Sequence, residues 1–157
     1  MYLNIKDTIF ETDDYSVVTL QKPHIDREDG GHILIVLKNM DYIQFSRIPT
    51  NTAEKLAKIA SIAGNAMERA LVENGIDIGL INYQINGNWA VSSADPVPIH
   101  IHLYGRAKSS NRQKYGEALF LPLPSTGFYD CFTGINSSDI EKIRAYIAID
   151  LASKEGL

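Results

Sequence analysis

Between Pro98 and Tyr104 the chain alternates with a period of two. Ile99, Ile101 and Leu103 take the odd positions, and Pro98, His100, His102 and Tyr104 the even ones. Successive side chains of a strand point to opposite faces, so this segment reads as a strand with a greasy face and an imidazole face. The isoleucine face belongs in a core. The histidine face must be a cleft or a polar surface. A fold that uses this strand has to cover one side of a sheet and leave the other accessible.

The rest of the chain supplies the cover. In residues 52–73, Leu56, Ile59, Ala60, Ala63, Met67, Ala70 and Leu71 recur at spacings of three and four, which builds one apolar helical stripe. Thr50 or Asn51 is expected to cap the start of that helix and Gly75 to end it. Residues 32–37, HILIVL, form a continuous apolar run of strand length, the pattern of a strand buried on both faces. Residues 8–11 and 15–21 read as a hairpin turning at Asp13 and Asp14, and residues 76–86 as another strand. Residues 107–134 lack periodicity and are expected to form a long ordered loop with a short strand at 118–121. Ser138-Asp139-Ile140-Glu141 has the form of a capping box. Ile140, Ile143, Ile147 and Leu151 then give a C-terminal helix. The order β-β-β-α-β-β-α predicts an α+β fold, a largely antiparallel sheet with one main helix packed on it and a second helix at the end.

With 157 residues the chain is expected to be one domain spanning 1–157. Its net charge of −4 argues against a nucleic-acid groove or an anionic membrane as partner, because both call for a basic surface. A locally positive pocket for a small phosphate compound stays open. The single cysteine, Cys131, excludes an internal disulfide and a zinc site built from cysteine pairs. It is read as a small packing residue and suits a reducing cytoplasm. The N-terminus has no signal-peptide pattern, and no apolar run is long enough to span a bilayer. No P-loop or dinucleotide fingerprint is present.

Two of the four histidines share the imidazole face. Side by side, they have three readings. They decorate a strand or satisfy core hydrogen bonds; they form half of a metal site, with His32 as a third imidazole; or one of them is a nucleophile. Imidazole titrates near pH 6.5 and attacks phosphorus through Nε2 when Nδ1–H is held by an acceptor.

The segment Pro98-Ile-His-Ile-His-Leu-Tyr-Gly-Arg106 resembles the signature strand of the histidine-triad family, in which three histidines alternate with apolar residues before Gly or Pro and Arg. The register that matches the Gly-Arg ending places His102 on the third histidine, His100 on the middle one and Pro98 on the first. A rival register, with His102 in the middle and Tyr104 third, fits that ending worse. Gly31-His32-Ile-Leu-Ile-Val36 is similar to the Gly-His strand upstream of the triad, and helix 52–73 lies where the family has its main helix. The resemblance covers roughly residues 8–106. It implies that His100 is the nucleophile and His102 a supporting catalytic group. It also implies substrate contacts from His32 and from Asn82 or Asn86. Arg106, directly after the histidine strand, reads as a bidentate phosphate ligand or as half of a structural salt bridge. Two departures stand out. Pro98 replaces a histidine, and Ser92-Ser93-Ala94-Asp95-Pro96 replaces the usual Gly-Gln-Ser/Thr, with Ser93 as the substitute hydroxyl.

Among the remaining candidates, His24 sits beside Pro23 in a loop and is expected at the surface. The run from Lys108 to Lys114 is expected to be a solvated loop. Trp89 and Tyr83 are expected to pack in the core or a dimer interface, with stacking on a base as the alternative.

The resemblance implies a homodimeric hydrolase or transferase acting at the α-phosphate of a small nucleotide, a dinucleoside polyphosphate or a nucleoside phosphoramidate. It needs no cofactor or metal and runs through a nucleotidyl-histidine intermediate. A nucleotide-binding protein that has lost catalysis and a His-x-His metal protein are the alternatives.

Overall fold

The computed structural model describes residues 3–87, 89 and 97–154. Its elements follow in the order β1 (Ile5–Glu11), β2 (Tyr15–Leu20), β3 (His32–Leu37), α1 (Thr50–Glu73), β4 (Ile78–Gln84), β5 (His100–Ala107) and α2 (Ser137–Lys154). The strands form one five-stranded sheet in the order β1-β2-β3-β5-β4. Every pairing is antiparallel. This is the α+β architecture the sequence predicts.

The alternation along β5 sorts its side chains between two different environments. Ile99, Ile101 and Leu103 join Ile33, Ile35 and Leu37 in the main core, under the α1 stripe of Leu56, Ile59, Ala63, Met67 and Leu71. Gly64 lies in this stripe because a Cβ there would stand 1.9 Å from the Tyr83 hydroxyl. Tyr83 pairs with Leu103 across β4 and β5, so its position is on the helix-covered side of the sheet. The opposite side has a second, smaller apolar cluster of Val18, Leu20, Leu34 and Val36. All six residues of β3 are buried as a result.

Several local expectations need correction. α1 starts from Pro49 without a side-chain cap. The Pro49 carbonyl takes the N–H groups of Thr52 and Ala53, and Asn51 accepts only from Thr52. α2 is capped two residues earlier than expected: Asn136 Oδ1 accepts from Asp139 N, and Asp139 Oδ2 accepts from Asn136 N. The reciprocal pair is a capping box built from Asn136 and Asp139 in place of Ser138 and Glu141. The strand expected at 118–121 does not form. The backbone of Phe120 instead exchanges both its hydrogen bonds with the side-chain amide of buried Gln113. Cys131 is exposed and is not a packing residue.

The segment after β5 is held by buried polar side chains. Asp29 accepts from the backbone N–H groups of Asn111, Arg112 and Gln113. Asp26 accepts from Thr133 N and from the Arg112 guanidinium. The Lys108–Lys114 run is therefore anchored, with only part of it solvated. Among the described residues no helix is long and apolar enough to cross a membrane.

Candidate active site

The even-numbered side chains of β5 face a cavity of about 490 Å³ on the side of the sheet opposite α1. His100, His102 and Tyr104 line it from β5; His24 comes from the loop after β2, and Asn86 and Trp89 from the segment after β4. The strand register explains the grouping. Tyr104 lies across from His32 and His102 from Leu34, so β3 places a third imidazole directly beside the pair.

Hydrogen bonds fix which nitrogen of each ring carries the proton. His32 Nδ1 accepts from the backbone N–H of His24 at 3.1 Å. A neutral imidazole has one N–H, so the His32 proton resides on Nε2. That nitrogen lies 3.0 Å from His102 Nδ1 and donates to it. His102 accepts there, and its own proton is left on Nε2. His100 has the opposite arrangement. Its Nδ1 lies 2.9 Å from the carbonyl oxygen of Pro98, which can only accept. His100 Nδ1 therefore holds the proton, and its Nε2 presents a lone pair. The two neighbouring rings, 4.9 Å apart between centroids, are opposites, one presenting a lone pair and one an N–H.

Burial keeps these rings neutral. Desolvation lowers the pKa of His100 and is partly opposed by the Pro98 hydrogen bond. It lowers His102 to about 2, helped by the charge that His100 or His24 would carry. It lowers His24 to about 4, with His100 again adding to the effect. His32 is driven well below its ordinary value, chiefly by burial and then by the neighbouring imidazoles. A cluster of like groups out of water cannot charge together.

His24 was expected at the surface, yet it is half-buried in the middle of the cluster. Its ring lies 4.7 Å from His32 and 5.4 Å from His102, and packs edge-on against Trp89 at 5.0 Å. No local periodicity marks it, because it is held by a loop that owes its shape to Asp26 and Gly30. Asp26 accepts from Glu28 N, and Gly30 has a positive φ of 128°.

The predicted substrate contacts divide. Asn86 lines the cavity. His32 does not: it is buried behind His102 and acts on it from the rear. Arg106 is also buried, with its guanidinium turned to the protein. It donates to Asn82 Oδ1 at 2.9 Å and to the carbonyls of Lys114 and Glu117 at 2.7 and 3.0 Å. Arg106 and Asn82 thus tie down the loop after β5 and do not line the cavity. Gly105, the other part of that ending, is needed because a Cβ would lie 1.9 Å from the Gly30 carbonyl oxygen. Ser93, with the 92–96 stretch that replaces the family's hydroxyl motif, lies outside the described residues.

His24, His32 and His102 also bring one nitrogen each within 4.8 Å of one another, close to the spacing of a metal site. Proton placement opposes that use. To coordinate through Nε2, His32 must move its proton to Nδ1, which already faces the N–H of His24. A ligand set that breaks the hydrogen bond shaping its own loop is a poor one.

No protein-family model matches the sequence, and no curated protein does. The fold has close likenesses among solved structures. One is a hypothetical histidine triad nucleotide-binding protein from Sulfolobus tokodaii, at TM-score 0.57 and 13% identity, covering 90% of this chain and 83% of that one. A Hit-like protein involved in cell-cycle regulation from Bartonella henselae superposes at TM-score 0.56 and 17% identity, over 88% of this chain and 84% of that one. A zinc-bound histidine triad family protein from Mycobacterium smegmatis gives 0.54 and 18%, over 94% and 89%. The chain has the histidine-triad fold.

Proposed function

We propose that the protein is a nucleotide-binding hydrolase or transferase that acts at an α-phosphate through His100. The observation that carries this reading is the pairing of tautomers: His100 Nδ1–H on the Pro98 carbonyl, and His102 Nδ1 accepting from His32. His100 Nε2 attacks phosphorus, and the bond to the leaving group breaks with its electron pair going to that group, which takes up a proton from solvent as it leaves. The positive charge that develops on the ring is stabilised at Nδ1–H by the Pro98 carbonyl. His102 Nε2–H donates to a phosphorus-bound oxygen as negative charge builds there. Water then attacks phosphorus and gives up one proton to solvent, the P–N bond breaks with its electron pair returning to Nε2, and His100 is again the neutral ring. Pro98 replaces a histidine of the family pattern, but the contact made from this position is a backbone carbonyl, which proline keeps.

Charge favours one substrate class. Among the described residues that line the cavity the only cation is Lys22, and it is paired with Asp130 at 2.8 Å. In sequence, the stretch 88–96 contains no Lys or Arg and one acid, Asp95. A polyphosphate leaving group needs several cations or a metal. A nucleoside phosphoramidate, which releases an amine, needs neither. Ser93 is proposed as a further oxygen ligand on the family pattern.

The homodimer is proposed on the edge strand β4, where Leu80 and Tyr83 are about half exposed at 52% and 47%. Light scattering after gel filtration checks it, and a monomer at working concentration rejects it.

The test of the main reading is His100→Ala assayed on a fluorogenic adenosine phosphoramidate. Turnover is expected to vanish in the variant, with AMP still bound. Parental turnover in His100→Ala, or a parent that binds AMP and turns over nothing, sinks it in favour of another nucleophile or an inactive binder.

A further inference from the structure

One polar group in the cavity has no part in the scheme above. His24 Nδ1 lies 3.0 Å from the Tyr104 hydroxyl. Between these two groups the phenol O–H is the more acidic donor and the imidazole nitrogen the more basic acceptor. The phenol's own O–H then has His24 Nδ1 as its acceptor. His24 consequently carries its proton on Nε2, by the same logic that fixes His102. That nitrogen has no hydrogen-bond partner among the described residues, and His24 lines the cavity. Two relays of the same polarity therefore end at the cavity wall. One runs from the His24 backbone through His32 to His102, the other from Tyr104 to His24.

We propose that His24 is a second imidazole N–H donor to the phosphorus-bound oxygens of the substrate, oriented by Tyr104. This inference rests on the nucleotidyl-transfer reading. A phosphoryl centre attacked by His100 exposes two non-bridging oxygens, and His102 satisfies only one. With one paired lysine on the wall, neutral N–H donors have to supply the rest of the stabilisation. His24 and His102 both line the cavity, with ring centroids 5.4 Å apart and planes within 27° of parallel. That spacing suits a clamp on two oxygens of one phosphorus.

The test uses His24→Phe, which keeps a ring against Trp89 and keeps the backbone N–H that His32 needs. kcat on the adenosine phosphoramidate is expected to fall about 100-fold, the usual cost of one lost oxyanion donor, with KM little changed. Affinity for adenosine–vanadate, which mimics the five-coordinate phosphorus, should fall in parallel, while affinity for adenosine is unchanged. His24→Leu also lacks a donor, is read the same way, and covers the case in which the larger ring does not pack. Tyr104→Phe should lower kcat in the parent but add almost nothing in the His24→Phe background. Parental kcat and vanadate affinity in both His24 variants overturn the proposal, and equal Tyr104→Phe losses in both backgrounds overturn the relay. If His100→Ala is dead while His24→Phe is fully active, this inference fails alone. A parent that binds neither AMP nor adenosine–vanadate removes both.

Discussion

The two faces of β5 are made of neighbouring residues on one backbone, yet they obey different rules. On the α1 side, Ile99, Ile101 and Leu103 are interchangeable in kind: burial stabilises them whichever apolar atoms they meet. On the other side, His100, His102, Tyr104 and Arg106 are buried almost as completely, and their proton positions depend on named partners. Among the described residues Arg106 Nε is the one fully buried side-chain nitrogen or oxygen without a partner. Core residues here define a shape, whereas site residues define proton positions.

The sharpest way to break that contrast is to damage each face in turn. His100→Ala should cost at least about 1000-fold in turnover while the fold persists, since a lost nucleophile removes the covalent path. Leu103→Ala should do the reverse. Leu103 is fully buried, and truncation to alanine in a core costs about 2–5 kcal/mol. Urea denaturation reads the second and steady-state kinetics the first. A Leu103→Ala protein of unchanged stability, or one that is stable but inactive, would erase the distinction between the faces.

The same contrast decides what was legible in the sequence. Period-two alternation placed His100 and His102 on one face, and period 3.6 marked the α1 stripe, because apolar burial repeats with the geometry of the backbone. The relay partners do not repeat. His24 reaches the site through a loop shaped by Asp26 and two glycines, and nothing in the spacing to His32 announces it. Arg106 reads in the sequence as either a phosphate ligand or half of a structural salt bridge. It binds carbonyls instead, because the long segment 108–134 needs an anchor that local sequence does not reveal. That segment is held by side chain to backbone bonds from Asp26, Asp29 and Gln113, which leave no periodic trace.

Acid should expose the polar face selectively. His24, His32 and His102 all have folded-state pKa values below that of an unfolded histidine, with His24 at about 4 and His102 at about 2. Below about pH 6.5 the unfolded chain takes up protons that the folded chain refuses. The stability is therefore present in full above that pH and is lost as pH falls toward the folded-state values. Each such ring contributes a slope of about 1.4 kcal/mol per pH unit. Between pH 6 and pH 5 carboxylates add little, so the window belongs to the histidines. Urea midpoints at pH 7.5, 6.0 and 5.0 measure the slope, and His24→Phe should flatten it by about one proton. A parent equally stable at pH 7.5 and 5.0 contradicts neutral buried rings.

The smallest expected effect lies at Pro98. The family pattern has a histidine there, so a contribution from its side chain predicts that Pro98→His raises the rate and that Pro98→Ala lowers it. The structure assigns the contact to the backbone: His100 Nδ1–H donates to the Pro98 carbonyl at 2.9 Å. Any residue has that carbonyl, provided the chain keeps its path into β5. Ile99 N donates to the Tyr42 carbonyl and Ile99 O accepts from Leu37 N, so the path is fixed by hydrogen bonds on the next residue. Proline's locked φ is then a convenience, and removing it adds freedom mainly to the unfolded chain. Pro98→Ala should keep kcat within about twofold of the parent, the rate equivalent of a change near 0.5 kcal/mol. A loss of tenfold or more, with the fold intact, would show that the ring itself orders the nucleophile and that the polar face, like the apolar one, depends on side-chain shape at its entrance.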